Sequence, residues 1–242
     1  MIPFDMQLFY APDMDPAAGF FDLPKEESHH AVKVLRMAEG QEIFATNGRG
    51  RMVRGMLAAV SPTVCSVRVE EILEDTQKRD YRLHIAVAPT KVNDRMEWFL
   101  EKATEIGVDE ITPLICARSE RRVYNRARGR KVIVSAGKQS LKATFPVLHE
   151  AVDFKTFLRS RPAEVTFIAH CMEGEKKQLA TSLAGCRDVC VVIGPEGDFS
   201  PEEIASAFSA GYVPVSLGDA RLRTETAALF AVATAAVVGQ LG

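Results

Sequence analysis

The chain lacks a long apolar run. Its most apolar stretch, Ala227–Val238, is mostly alanine and valine and is too short to span a bilayer. It predicts a buried helix. The opening MIPFDMQLFY lacks the basic start and extended apolar core of a signal peptide. A cytoplasmic protein with no membrane partner is expected. Cysteine gives no framework: Cys65, Cys116, Cys171, Cys186 and Cys190 are odd in number, and no two have CxxC spacing. Free buried thiols are the expectation. The histidines lack metal-site spacing as well, so no metal is expected. His29 and His30 lie on a helix candidate, and His84, His149 and His170 are scattered over strand candidates. Neither GxGxxG nor GxxxxGK[ST] occurs, so no dinucleotide or P-loop site is indicated. Internal repeats and low-complexity segments are absent too.

A strong net charge is also missing: the formal balance is −2. Its distribution is uneven. Residues 1–75 hold 7 Lys/Arg against 12 Asp/Glu, whereas residues 76–242 hold 23 against 20. Within Arg118–Lys131, Arg118, Arg121, Arg122, Arg126, Arg128, Arg130 and Lys131 face a single acid, Glu120. Phosphates respond to such local fields more than to net charge. For Arg126, Arg128 and Arg130, solvated surface charge is the simpler reading.

What is present divides into two rhythms. The first is short and strand-like. Gln7–Ala11, Gly19–Leu23, Gln41–Thr46, Arg51–Ala59 and Val64–Ile72 read as strands, with Asn47-Gly48-Arg49-Gly50 as a hairpin turn. One helix candidate, Glu26–Met37, interrupts them. Several short strands in so few residues predict a small barrel, because closure removes exposed edges. Glu74–Asp80 is polar and reads as a linker. The second rhythm alternates strands with helices. Tyr81–Ala88, Glu110–Cys116, Val165–His170, Asp188–Gly194 and Val213–Leu217 are apolar strands; Asp94–Ile106, Val132–Leu141, Lys176–Leu183, Pro201–Ala210 and Thr224–Leu241 are helices. That alternation predicts an α/β domain with a parallel sheet covered on both faces. The domains expected are 1–73, a linker 74–80, and 81–242.

Ligands of open parallel sheets sit beyond the carboxyl ends of strands. Three such ends stand out. The first is Ala169-His170 leading into Cys171–Gly174. The second is Ile193 leading into Gly194-Pro195-Glu196-Gly197. The third is Ser216-Leu217-Gly218 leading to Leu222-Arg223-Thr224-Glu225-Thr226-Ala227. Gly194 and Gly197 let the backbone approach a ligand, although the same residues also suit a plain tight connection. Ser200-Pro201-Glu202-Glu203 reads as a helix start. Thr224 or Thr226 can cap the last helix. Arg223 and Glu225 either do chemistry or merely pair with each other.

Taken together these residues resemble the 16S ribosomal RNA (uracil-N3) methyltransferase family, a branch of the knotted SPOUT methyltransferases. The resemblance covers essentially the whole chain. It rests on Val34-Leu35-Arg36 with Gly40, on Lys91 with Asp94–Glu97 and Glu101–Val108, and on Arg118-Ser119 and Lys138-Gln139-Ser140. Its most specific part is Ile193–Gly197 followed by Leu217-Gly218 and Leu222–Ala228. The chain departs from the family at Asp198, where many members have a second glycine, and at Asp219-Ala220-Arg221.

The resemblance implies a PUA-like β-barrel for RNA docking and a trefoil-knotted SPOUT-type parallel sheet with flanking helices, the knot lying within Val165–Leu229. It implies a homodimer, S-adenosylmethionine as cofactor, and 16S rRNA or the assembled small ribosomal subunit as partner. Ala169, His170, Gly194, Pro195, Glu196, Gly197, Leu217, Gly218, Leu222, Arg223, Thr224 and Ala227 would hold the cofactor. Arg223 and Glu225 would be catalytic, Arg223 on the uracil oxygens and Glu225 orienting it or the base, or only anchoring Arg223. Arg36, Lys91, Arg95, Arg118, Arg121, Arg122, Lys138 and Lys142 would contact RNA. Two further readings stay open at this level: a SPOUT methyltransferase for another RNA base, and a catalytically silent RNA-binding or ribosome-assembly factor. A small-molecule methyltransferase leaves the small β domain and the basic segment unexplained.

Overall fold

The computed structural model describes residues 6–241, so the first five residues of the N-terminal segment read above lie outside it. The chain forms two compact units. One holds the described residues through Lys78 together with Val134–Phe145; the other holds Arg79–Ile133 and the chain from Pro146 onward.

In the first unit, β1 (Leu8–Tyr10), β2 (Phe20–Asp22), β3 (Glu42–Thr46), β4 (Met52–Ala59) and β5 (Ser66–Leu73) make one five-stranded sheet in the order β1-β3-β4-β5-β2. Only β1 and β3 run parallel. The alternation seen in the sequence places Phe9, Ile43, Ala45, Val53, Leu57 and Val67 in a single buried core. The register shifts twice between β4 and β5, which curls the sheet. The helix expected over Glu26–Met37 is shorter. α1 covers Lys25–His29 and continues as a π-helical turn, His30–Val34, in which the Leu35 amide donates to the His30 carbonyl at 3.0 Å. Arg36 then takes a left-handed φ of 56°, so the helix cannot run on to Met37.

Val134–Phe145 packs with this unit for identifiable reasons. The Lys138 ammonium donates to both Glu27 oxygens at 2.6 and 2.8 Å. The Thr46 hydroxyl donates to the Ala143 carbonyl, and the Phe145 ring packs on Tyr10 at 5.2 Å.

The second unit is built on a parallel sheet. Its strands are β6 (Arg82–Val87), β7 (Glu110–Ile115), β8 (Val147–Leu148), β9 (Val152–Asp153), β10 (Val165–Ala169), β11 (Lys177–Gln178), β12 (Asp188–Ile193) and β13 (Val213–Ser216). The order is β11-β13-β10-β12-β6-β7-β8, with β9 beside β7. The helices are α2 (Asn93–Ile106), the start of α3 (Arg126–Gln139), which from Val134 on belongs to the first unit, α4 (Phe154–Arg159), α5 (Leu179–Leu183), α6 (Pro201–Ser209) and α7 (Thr224–Leu241). Strands β6 and β12 are buried almost throughout, as expected where both sheet faces are covered. α7 packs against α2 and α5, and Ala228, Ala231 and Val232 are fully buried.

Local structure departs from the periodicity in two places. α3 begins at Arg126 rather than Val132, because its first turn carries no apolar stripe. The start is set by the Asn125 side chain, which accepts from the Arg128 amide. Lys176–Leu183 splits into β11 and the short α5, since Lys177 and Gln178 pair with Val215 and Ser216. α4 has no counterpart in the pattern; the Asp153 carboxylate caps it by accepting from the Thr156 amide at 2.9 Å.

Candidate functional site

The path from β12 to β13 crosses over β10, so the carboxyl ends of these three neighbouring strands open side by side. A cleft of about 970 Å³ lies there. It is lined by Ala169 and His170, by Gly194, Pro195, Glu196 and Gly197, by Leu217 and Gly218, and by Leu222, Arg223, Thr224 and Ala227. Residues from three remote segments of the sequence thus converge on one space, whose size suits a nucleoside-sized ligand.

The loops are held from behind. The Thr224 hydroxyl donates to the Gly194 carbonyl at 3.2 Å, joining the loop after β12 to the start of α7. Thr224 is buried and is itself the first residue of α7. At Gly194 a Cβ would stand 3.0 Å from the ring of Phe199, which is almost completely buried. Ser200 caps α6 in a reciprocal box: its hydroxyl accepts from the Glu203 amide, and the Glu203 carboxylate accepts from the Ser200 amide. The family departure at Asp198 has a local account. This residue has a left-handed φ of 62°, a conformation natural to glycine and tolerated by aspartate. Its carboxylate in turn accepts from the Cys171 amide at 2.9 Å, tying two cleft loops together.

Two polar groups remain open. Both ring nitrogens of His170 are buried without a hydrogen-bond partner. Burial pushes this imidazole below its ordinary value, nearby Lys176 adds to the shift, and Asp198 opposes it. Arg223 is exposed on the cleft lining. Glu225 does not line the cleft with it. Its carboxylate is nine-tenths buried and meets Arg95 on α2, at 3.8 Å, while its Oε2 has no partner.

Of the basic residues singled out in the sequence, several buttress the cleft. The Arg118 guanidinium donates to the Gly197 and Phe199 carbonyls at 2.9 and 3.3 Å. The Lys91 amide donates to Glu196 and its ammonium pairs with Glu120. Arg121 donates to the Lys91 carbonyl and Arg122 to the Ala117 carbonyl. In the other unit Arg36 is exposed and Lys138 is paired with Glu27; Lys142 also has a partner.

An RNA methyltransferase domain model matches residues 77–236, and an RNA methyltransferase PUA domain model matches residues 23–70. The chain belongs to this RNA methyltransferase family. A Porphyromonas gingivalis protein described as a probable rRNA-methyltransferase is 39% identical to it, with a TM-score of 0.89 over 98% of this chain and 99% of its own. Ribosomal RNA small subunit methyltransferase E of Neisseria gonorrhoeae, solved bound to S-adenosyl methionine, is 27% identical with a TM-score of 0.80, over 94% of this chain and 95% of its own. The enzyme of the same name from Bacillus subtilis is 29% identical over 230 residues, 89% of each chain. Among the described residues of this RNA methyltransferase, no helix is long and apolar enough to cross a membrane.

Sequence spacing missed two associations. Arg95 with Glu225 joins the first turns of two helices far apart in the chain. His84, Glu110 and His149 converge at the opposite end of the sheet. Packing of α2 on α7 brings the first pair together, and strand register the second.

Proposed function

We propose that this chain transfers a methyl group from S-adenosylmethionine to N3 of a specific uridine in 16S (small-subunit) ribosomal RNA. The observation that carries the reading is the cleft at the ends of β10, β12 and β13, where every residue expected to hold the cofactor lines one space. The fit is chemical as well as spatial. Gly194 and Gly197 bring backbone groups to the cleft, and the partnerless His170 ring adds polar atoms to its wall. When bound there, S-adenosylmethionine supplies an electrophilic methyl group.

The chain's own task is to make the uracil a nucleophile and to aim it. Uracil N3 is a poor nucleophile until its proton leaves to water, and the charge then spreads onto the two exocyclic carbonyl oxygens. Arg223, exposed on the cleft lining, is the group to stabilise that charge. Holding N3 in line supplies much of the remaining rate. Glu225 acts from behind the cleft, on α7's first turn, as a positioning residue held by Arg95. The first unit is the PUA-like RNA-docking domain of this reading. Residues 1–73, 74–80 and 81–242 are its docking, linker and catalytic parts, except that Val134–Phe145 completes the docking unit. A deep knot within Val165–Leu229, a homodimer and a cytoplasmic location belong to the same reading.

Two measurements test it. Calorimetry of the purified protein with S-adenosylmethionine should give saturable binding; none would favour a silent ribosome-assembly factor. Mass mapping of 16S rRNA from a strain lacking the protein should show one uridine without its methyl group. An unchanged map would end the proposal, and a missing methyl on another base would redirect it.

A further inference from the structure

The end of the sheet away from the cleft carries a second constellation. His84 on β6 and Glu110 on β7 are register partners, so their side chains share one face. His149, just beyond β8, reaches the same place, its amide bonded to the Ile111 carbonyl. One ligating atom from each of the three lies within 4.8 Å of the other two. We propose that His84, Glu110 and His149 bind a divalent transition-metal ion of the zinc type.

The chemistry of each donor supports this. His84 is 4% exposed. Its Nε2 is bonded to the Thr112 hydroxyl at 2.8 Å, while its Nδ1 is buried without a hydrogen-bond partner. A ligating imidazole commonly has its second nitrogen fixed in this way by a neighbour. Glu110 divides its two oxygens: Oε1 accepts from Arg82, and Oε2 meets His149 Nε2 at 2.7 Å. Arg82 would repel a cation if its charge stood alone. It pairs with both Glu110 and Asp188, so two carboxylates and one guanidinium leave a net negative charge. Two imidazoles and one carboxylate form a common zinc donor set that leaves a fourth position open. His149 is 41% exposed and gives the ion a way in.

The test uses the full chain, freed of metal by chelation, in a Cys171→Ser background because Cys171 is an exposed thiol. Zn²⁺ is titrated by calorimetry and Co²⁺ by visible absorbance. One ion per chain is expected, with at least a tenfold loss of affinity in His149→Ala and a rise in Tm on adding Zn²⁺ that this variant does not show. His84→Ala removes a buried ring and can unfold the protein, so the partly exposed His149 carries the decision, with circular dichroism checking its fold. Absence of stoichiometric binding in the parent overturns the proposal, and so does equal binding by His149→Ala. Neither result bears on methyl transfer, which rests on the other end of the sheet.

Discussion

The hydroxyl of Thr224 donates to the carbonyl of Gly194, and that bond joins the first turn of α7 and the loop after β12 into one wall of the cleft. Thr224→Val keeps the shape and leaves a buried carbonyl unpaired, a loss of about 1–3 kcal/mol. Denaturant unfolding should show that loss. Calorimetry should show S-adenosylmethionine affinity reduced several-fold. Unchanged affinity with reduced stability would confine the bond to the fold.

A Cβ at Gly194 would stand 3.0 Å from the Phe199 ring, tighter than an ordinary contact. Gly194→Ala therefore needs the buried ring to shift slightly, and crowding of this kind typically costs about 1–3 kcal/mol. Combining it with Phe199→Leu should recover part of the stability. Stability equal to the parent in the single variant would contradict the contact.

Asp198 combines a left-handed backbone with a side-chain bond to the Cys171 amide. The two features predict an order among variants. Asp198→Gly relieves the backbone and loses one bond, so its stability should stay within about 1 kcal/mol of the parent. Asp198→Val loses the bond and places a β-branched residue at positive φ, and should fall well below Asp198→Gly. Thermal unfolding of the three proteins ranks them.

His170 gives the cleft a pH dependence. Its pKa in the fold lies below the ordinary 6.5, so its contribution is complete above that value. The contribution is lost as pH falls further, where the unfolded chain binds the proton more readily. A proton on His170 also repels a cationic ligand. Affinity for the sulfonium of S-adenosylmethionine should therefore fall in acid more than affinity for uncharged-sulfur S-adenosylhomocysteine. In His170→Asn the two should fall in parallel; a parallel fall in the parent would reject the argument.

Arg223→Ala should reduce the single-turnover methylation rate by about 100-fold or more if it stabilises the uracil oxygens. A change in KM alone would make it a binding residue. Arg118→Ala should weaken cofactor binding, because its guanidinium holds Gly197 and Phe199. Arg36→Ala should instead lower the salt slope of RNA binding by about one.

Much of the second unit is legible in the sequence because its central strands are buried on both faces and β12 runs straight into Gly194. The converging loops were legible through Gly194, Gly197, Leu217 and Gly218, residues that mark strand ends. What stayed hidden depends on the third dimension. Arg95 sits on an amphipathic helix as an ordinary surface charge until α2 meets α7 beside Glu225. His84 and Glu110 are separated by a whole helix and become neighbours only through parallel register. Arg118 belongs to a run of basic residues, and composition could not tell a loop clamp from a phosphate contact. The π-helical turn after His29 leaves no trace in hydrophobic spacing, since one extra residue per turn does not change which residues are apolar.

The chain passes between its two compact units three times, at Lys78/Arg79, Ile133/Val134 and Phe145/Pro146. A nascent chain therefore cannot complete the N-terminal unit when residue 78 leaves the ribosome. Glu27 waits for Lys138, and Tyr10 waits for Phe145. By then β6, α2 and β7 have also emerged, before β12, the partner of β6, exists. Synthesis thus exposes the half-built parallel sheet during the interval in which the first unit closes, and a protease cut at Glu74–Asp80 would leave two fragments still joined through Val134–Phe145.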